Sequence, residues 1–203
     1  KQAIVIPIPK PGNDPMNRSS YRPIALTSCV CKTLERIINT RLVWYLEKNK
    51  LLTIYQSGFR KHRSTVDHLI RLETNIRQSF IKKEHNVCVF FDLEKAYDTT
   101  WKFGIMRDLQ GLGLRGNLPI FIQQFLEDRS FQVRLGSTLS SSFPQDNGVP
   151  QGSILSPTLF SIKINSITKC LSSGIDAALY VDDFTISYSS KNMATIERQI
   201  QLC

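Results

Sequence analysis

Two neighbouring carboxylates, Asp182 and Asp183, interrupt the run AALYVDDFTISY at residues 177–188, which is otherwise apolar, aromatic or β-branched. Strand formers on both sides predict two short strands, Ala177–Tyr180 and Phe184–Tyr188, with the acidic pair at or beside the turn between them. Two like charges that close repel each other, and a divalent cation would relieve the repulsion. Taken alone, the pair is explained equally well as turn chemistry, because aspartate tolerates the positive φ of tight hairpins. A third carboxylate, Asp92, ends the apolar run NVCVFF ninety residues earlier, a separation that leaves room for the fold to bring all three to one sheet edge. Hard oxygen ligands suit Mg²⁺, with Mn²⁺ as a substitute, and two such ions ~4 Å apart can activate an attacking hydroxyl and stabilise a leaving oxygen in phosphoryl transfer. The chemistry expected of three converging aspartates is therefore nucleotidyl transfer.

Charge points to the partner. Lysine and arginine number 26 against 17 acidic residues. The first hundred positions hold 17 basic and 9 acidic residues and the remainder 9 and 8, so the basic surface lies in the first half and suits a polyanion. The five cysteines form no CxxC pair and the three histidines lack zinc-ligand spacing, which argues against a zinc site or a disulfide framework. No run approaches the ~18 apolar residues of a membrane span, and the amino terminus resembles neither a signal nor a transit peptide, so an intracellular chain without membrane attachment is expected. The first residue is not methionine and the last residues, IERQIQLC, lie inside a helix-like pattern, which predicts a piece of something longer.

The elements that must position these groups follow from periodicity. AIVIPIPK reads as a strand running into a turn-rich basic loop, PKPGNDPMNRSSYRP, flanked by Lys10 and Arg22. Val30, Leu34, Ile37, Ile38, Leu42 and Leu46 recur at three- and four-residue steps and predict a helix with that face in the core. A second helix opens with a capping box, Ser64 to Asp67, and carries Val66, Leu69, Ile70 and Phe80, with its arginines outward. Val87–Phe91 predicts a strand covered on both faces, ending at Asp92. Short helices around Ile105–Gln110 and Leu118–Glu127, a hairpin in FQVRLGSTLSSSF and a helix in SPTLFSIKINSITKCL complete the order. This is an α+β pattern with a mainly antiparallel sheet backed by helices.

FFDLEKAYD, NGVPQGSILSPTLF and LYVDDF, in that order, with IPIPKPG, YRPIALTS and QSGFRKHRST upstream, closely resemble the reverse transcriptase domain of non-LTR retrotransposons of the jockey type. The resemblance runs from about Ile4 to Tyr188. It implies a right-hand polymerase fold, with residues 1–86 mainly fingers, residues 87–203 mainly palm with some fingers elements inserted, and no thumb. It further implies RNA-directed DNA synthesis with two Mg²⁺ ions on an RNA template, a DNA primer or RNA–DNA hybrid, and dNTPs, within a retrotransposon ribonucleoprotein of the cytoplasm and nucleus.

Residue by residue, the resemblance makes Asp92, Asp182 and Asp183 the catalytic metal-binding aspartates, with the backbone carbonyl of Leu93 a further ligand. Tyr97 matches the aromatic gate beneath the sugar of the incoming nucleotide. Lys10 and Arg22 match contacts to its triphosphate, Gln151 lies near its sugar, and Gly152 gives clearance. Arg60, Lys61 and Arg63, with Pro150 and Ser153, match the template and primer side; on charge alone the three basic residues serve equally as a solvated face. Asp98 is not counted as a ligand and reads as an N-cap or ion-pair partner ahead of Trp101. Val181 departs from many relatives, which have alanine there. Three rival functions use some of the same residues: an RNA-dependent RNA polymerase, which Tyr97 disfavours; a decayed, binding-only remnant, which the intact aspartates disfavour; and a metal-dependent nuclease, which has no need of these motifs in this order.

Overall fold

Alternating and continuous apolar runs set eight strands and seven α-helices along the chain. They are β1 (Gln2–Pro9), β2 (Tyr21–Leu26), α1 (Cys29–Lys48), α2 (Thr65–Lys82), β3 (His85–Phe91), α3 (Ala96–Thr99), α4 (Lys102–Gly111), α5 (Asn117–Leu126), β4 (Ser130–Leu135), β5 (Thr138–Leu139), β6 (Phe143–Pro144), α6 (Ser156–Ile164), β7 (Asp176–Tyr180), β8 (Asp183–Ser190) and α7 (Met193–Gln201). The computed structural model describes residues 1–203. The chain divides into two units, each assembled from two separated stretches: 1–49 with 95–163, and 50–94 with 164–203. No helix is long and apolar enough to cross a membrane.

The first unit carries a five-stranded sheet in the order β2-β1-β4-β5, with β6 also paired to β4. β1 runs antiparallel to β2, from Ile4 opposite Leu26 to Pro9 opposite Tyr21, and parallel to β4. β2 was not foreseen as a strand, because Pro23 lies within it; proline cannot donate to a ladder and is confined to edges, and β2 is the edge. Leu42 and Leu46 of α1, Ile105 and Leu109 of α4, Ile122 and Leu126 of α5, and Leu159 and Ile162 of α6 are fully buried.

The expected apolar face of α1 is only half correct. Leu42 and Leu46 are buried, but Val30, Leu34 and Ile37 are 79%, 49% and 54% exposed, while Glu35 is 4% exposed. The packed stripe runs through Glu35, Leu42 and Leu46, at seven- and four-residue steps, and the N-terminal apolar residues flank it. A buried carboxylate with three hydrogen-bond donors around it overrides the pattern there.

The second unit holds the antiparallel sheet β3-β8-β7. Its pairing is continuous from His85 opposite Ser190 to Phe91 opposite Phe184, and from Asp176 opposite Ser187 to Tyr180 opposite Asp183. Ala177, Leu179, Phe184 and Ile186 are buried, as is Ile196 of α7. Two expectations fail here. β3 is an edge strand whose Phe90 and Phe91 are 69% and 43% exposed, so it is not covered on both faces. On α2 the capping box forms, with Ser64 N donating to Asp67 Oδ2 at 2.6 Å. Its residues Val66, Leu69, Ile70 and Phe80, however, are exposed. The packed side is instead a polar stripe at four-residue steps: Arg71 pairs with Asp176, Asn75 Nδ2 donates to Asp176, and Ser79 Oγ lies 2.9 Å from Ser189 Oγ. Asp176 at the start of β7 draws that side of the helix inward, since a charge next to a packed sheet needs its partners.

Leu179, fully buried on β7 of the hairpin bearing Asp182, tests this core. Leu179→Ala should cost about 2–5 kcal/mol, the usual cost of deleting a buried leucine side chain. Urea unfolding followed by circular dichroism reads this loss, and a change below about 1 kcal/mol would place Leu179 outside the core.

Candidate functional site

The second unit brings Asp92, Asp182 and Asp183 to one end of its sheet. Tyr180 and Asp183 pair across a two-residue turn, so Val181 and Asp182 form the tip, and Asp183 is the first residue of β8. Val181 has φ +61°, the left-handed region, and Asp182 does not. That pattern belongs to the turn in which glycine usually takes the first central position. On the other side of β8, Phe91 opposes Phe184 and the two rings stack with centroids 5.7 Å apart. Asp92 is the residue after Phe91 and Asp183 the residue before Phe184, so the two lie at the same end of the sheet. Leu93 is the second residue past the end of β3.

The electrostatics agree with this placement. Burial pushes the Asp182 carboxyl above its ordinary range, and the negative charges of Asp183 and Asp92 raise it further, against a hydrogen bond from its own backbone. The side chains do not stand as a closed cluster of three or more ligating groups. In donor type, charge and mutual field they nevertheless suit a hard divalent cation, whose charge would offset the repulsion that Asp182 feels.

The first unit gathers the other nucleotide-site candidates. Lys10 N donates to Ser20 O at 2.7 Å, extending the β1–β2 ladder, so Lys10 and Arg22 lie as diagonal neighbours on one face of that ribbon. Gln151 O accepts from Ala25 N of β2 at 2.6 Å. Gly152 has φ +115°, and a methyl group on it would lie 2.5 Å from Ala25 O, so only glycine fits there. The same loop is tied to α3: Val149 N donates to Tyr97 O at 2.8 Å, and Gln151 Nε2 donates to Asp98 Oδ1 at 3.1 Å. Asp98 therefore anchors Gln151 and is not the N-cap expected ahead of Trp101. Burial raises its carboxyl above the ordinary range, opposed by the Gln151 hydrogen bond and by Lys95. The Tyr97 ring stacks on the buried Phe160 ring, centroids 5.0 Å apart and planes 20° from parallel.

Of the residues matched to template and primer, Pro150 and Ser153 are buried. Ser153 Oγ donates to Glu35 Oε2, which also accepts from Ile154 N at 2.7 Å. Lys61 is exposed. Arg60 and Arg63 turn toward their own loop: Arg60 Nη1 donates to Thr53 O at 2.7 Å, and Arg63 Nη1 donates to Ile54 O at 2.6 Å.

Sequence reasoning missed Glu35, Phe160 and Gln56, each buried beside a candidate site residue. Glu35 left one signal, a lone carboxylate between Leu34 and Ile37 on a helix otherwise read as apolar. Gln56 left none, because a glutamine ahead of Ser-Gly reads as loop.

The family described as reverse transcriptase (RNA-dependent DNA polymerase) matches residues 8–202. The chain is 34% identical to a probable RNA-directed DNA polymerase from transposon BS of Drosophila melanogaster, over 99% of this chain and 23% of that protein. It is 31% identical to the RNA-directed DNA polymerase from mobile element jockey of the same species, over 99% of this chain and 22% of that protein. The chain thus spans under a quarter of these relatives' length. Among solved structures, telomerase from Candida albicans in complex with a TWJ fragment of telomeric RNA superposes with a TM-score of 0.69 at 15% identity, over 99% of this chain and 38% of that one, a likeness of fold.

The raised Asp182 carboxyl has a measurable consequence. A carboxyl whose folded pKa lies above its unfolded value adds stability at low pH that is lost as pH rises through the folded value. Without divalent cations at neutral pH, Asp182→Asn should therefore melt higher than the parent, and the gap should close as pH falls from the raised folded value to the ordinary aspartate value. Adding Mg²⁺ at neutral pH should reverse the order, stabilising the parent and not the variant. Thermal melts with and without chelator check both signs.

Proposed function

The chain belongs to the reverse transcriptase family, and we propose that it carries the nucleotidyl-transfer centre of an RNA-directed DNA polymerase from a jockey-type non-LTR retrotransposon. The observation that supports this is the β3-β8-β7 register, in which the last β3–β8 pair, Phe91 and Phe184, is followed on one strand by Asp92 and preceded on the other by Asp183, at the end of the sheet whose turn holds Asp182. The names of the relatives point to the same activity. Partners are an RNA template, a DNA primer or RNA–DNA hybrid, and dNTPs, within a retrotransposon ribonucleoprotein of the cytoplasm and nucleus. Fingers are assigned to about residues 1–86 and palm to about 87–203 with fingers elements inserted.

In this mechanism Asp92, Asp182, Asp183 and the Leu93 carbonyl would hold two Mg²⁺ ions. Bound there, the ions would ease ionisation of the primer 3′ hydroxyl and neutralise charge on the departing pyrophosphate. The hydroxyl loses its proton to solvent water, its oxygen bonds to the α-phosphorus, and the bond from that phosphorus to the pyrophosphate oxygen breaks. Lys10 and Arg22 take the triphosphate, where fixed positive charge meets negative charge that grows in the transition state. Gln151, held by Asp98, lies against the sugar, and Gly152 keeps that surface flat. Tyr97 excludes a 2′ hydroxyl by filling its volume, and the stack on Phe160 keeps the ring from yielding. Lys61 offers its charge to template phosphate without reading sequence.

Primer extension on an RNA template with dNTPs and Mg²⁺ tests the assignment. Asp92→Asn and Asp182→Asn should each lower extension about 10²–10³-fold, the scale of losing one group that stabilises developing charge, with circular dichroism unchanged. The double variant should lose little more, because either change removes the same metal-bound state. Extension near the parent rate in either single variant would defeat the metal assignment.

Tyr97→Ala addresses sugar selection separately. It should raise the use of ribonucleotides relative to deoxynucleotides by up to about 10²-fold, the discrimination an apolar wall gives against an added hydroxyl. Single-nucleotide insertion kinetics give the ratio, and an unchanged ratio would return Tyr97 to an ordinary core tyrosine.

A further inference from the structure

Gln56, the first residue of the QSGFRKHRST segment and itself without a role so far, is fully buried, and its side chain reaches the turn of the aspartate hairpin. Its Oε1 accepts from Val181 N at 3.2 Å and from Gly58 N at 2.7 Å. Both acceptor positions of that oxygen are occupied by backbone donors, which fixes the orientation of the amide and leaves Nε2 without a partner. The loop also pairs with β7 itself: Leu179 N donates to Tyr55 O at 3.0 Å and Ser57 N donates to Leu179 O at 2.9 Å. The 55–58 segment thus runs beside β7 and ends against its turn. Gly58 completes the fit, since a methyl group there would lie 2.5 Å from Val181 Cγ2 and 2.6 Å from Val181 N.

The arginines of the same motif brace this loop from behind. Arg60 Nη1 and Arg63 Nη1 each donate to Gln56 O at 3.1 Å, in addition to their bonds to Thr53 O and Ile54 O. Two cations thereby satisfy the carbonyls of residues 54 and 56, which an irregular segment beside a packed strand would otherwise leave without partners, and add a second donor to that of residue 53.

We infer that Gln56, braced by Arg60 and Arg63, is a positioning residue for nucleotidyl transfer: its carboxamide holds Val181 in the left-handed conformation that aims Asp182 and Asp183. A β-branched residue rarely adopts φ +61°, so the turn needs something outside the hairpin to select it. The Val181 N–H is the only backbone donor at the first turn position, and Gln56 Oε1 is its acceptor. Losing that acceptor lets the turn relax toward negative φ, which rotates the peptide ahead of Asp182 and moves both carboxylates. The inference rests on the assignment of the aspartates as metal ligands, and the experiment separates the two.

The test uses the whole chain, with Mn²⁺ affinity from electron paramagnetic resonance and amide exchange at single residues from NMR. In the parent, the Val181 and Gly58 amides should be protected from exchange. Gln56→Met, which keeps the volume and removes the acceptor, should abolish protection at both while Leu179 stays protected. Mn²⁺ affinity should fall about tenfold, the scale of removing a group that orients a metal ligand. Placing Val181→Gly in the Gln56→Met background should recover most of that affinity, because glycine adopts φ +61° without help. A loop that merely supported the fold would show no such rescue.

An unprotected Val181 amide in the parent, Mn²⁺ affinity within about twofold of the parent in Gln56→Met, or no recovery of affinity when Val181→Gly is added to Gln56→Met would each overturn the inference. Asp182→Asn serves as the control for the site. If it leaves Mn²⁺ affinity unchanged while Val181 protection still depends on Gln56, the metal assignment fails and the turn clamp survives as a structural device only.

Discussion

Mutual repulsion of three carboxylates at one end of a short sheet is the constraint that the second unit is built around. The charges acting on Asp182 from Asp183 and Asp92 are both negative, so nothing in that field favours holding the three together. The sheet holds them by other means: a ladder paired without interruption from His85–Ser190 to Phe91–Phe184, stacked phenylalanines at its last step, and a buried stripe of Ala177, Leu179, Phe184 and Ile186. The opposite end of β7 shows how the same fold treats a carboxylate meant only for structure. There Asp176 has Arg71 and Asn75 as partners. A paired aspartate at one end of the hairpin contrasts with two crowded ones at the other, where no cationic partner offsets the repulsion on Asp182.

The first unit solves a different problem, that of holding polar side chains on loops without letting the loops wander. Tyr97 lies on the single-turn helix α3 and Gln151 and Gly152 on a loop, and each is fixed through its backbone. Val149 N is bonded to Tyr97 O, Ala25 N to Gln151 O, and the Gly152 backbone lies flat against Ala25 O. Behind them Glu35 accepts from Ser153 Oγ and Ile154 N, where the loop turns into α6. A buried carboxylate at that point satisfies donors at the start of a helix that no earlier turn can satisfy. Removing such an acceptor would leave the donors buried and unpaired, which costs more than the bonds themselves contribute.

The parts of the fold legible in sequence were those governed by local pattern. The YVDD hairpin, the strand before Asp92, the 130–144 hairpin and the capping box at Ser64 rest on periodicity or turn chemistry confined to a few residues, and all are present. What failed was the direction in which helices face. The outward apolar residues of α2 and the N-terminal half of α1 carry the stronger hydrophobic pattern, yet the packed sides contain Arg71, Asn75, Ser79 and Glu35. Their partners, Asp176, Ser189 and the residues around Ser153, lie more than a hundred positions away in sequence. A helix face is chosen by what it meets, and a polar side chain with a distant partner can outweigh an apolar neighbour with none.

Val181 shows why the candidate site itself was only partly legible. On local preference a β-branched residue at that turn position contradicts the hairpin, since the left-handed conformation costs a non-glycine residue about 1–2 kcal/mol. Glycine there would make the turn easy but also loose, because the same freedom that permits φ +61° permits most other values. Valine is stiff, and once its amide is bound by Gln56 and its side chain is seated against Gly58, few conformations are left to it. Local propensity is thus violated at the position where two carboxylates must be aimed, and the compensation comes from a loop more than a hundred residues upstream. Consistency between local and global preference marks most of a fold, and its breach marks the place where conformation has been fixed for a purpose other than stability.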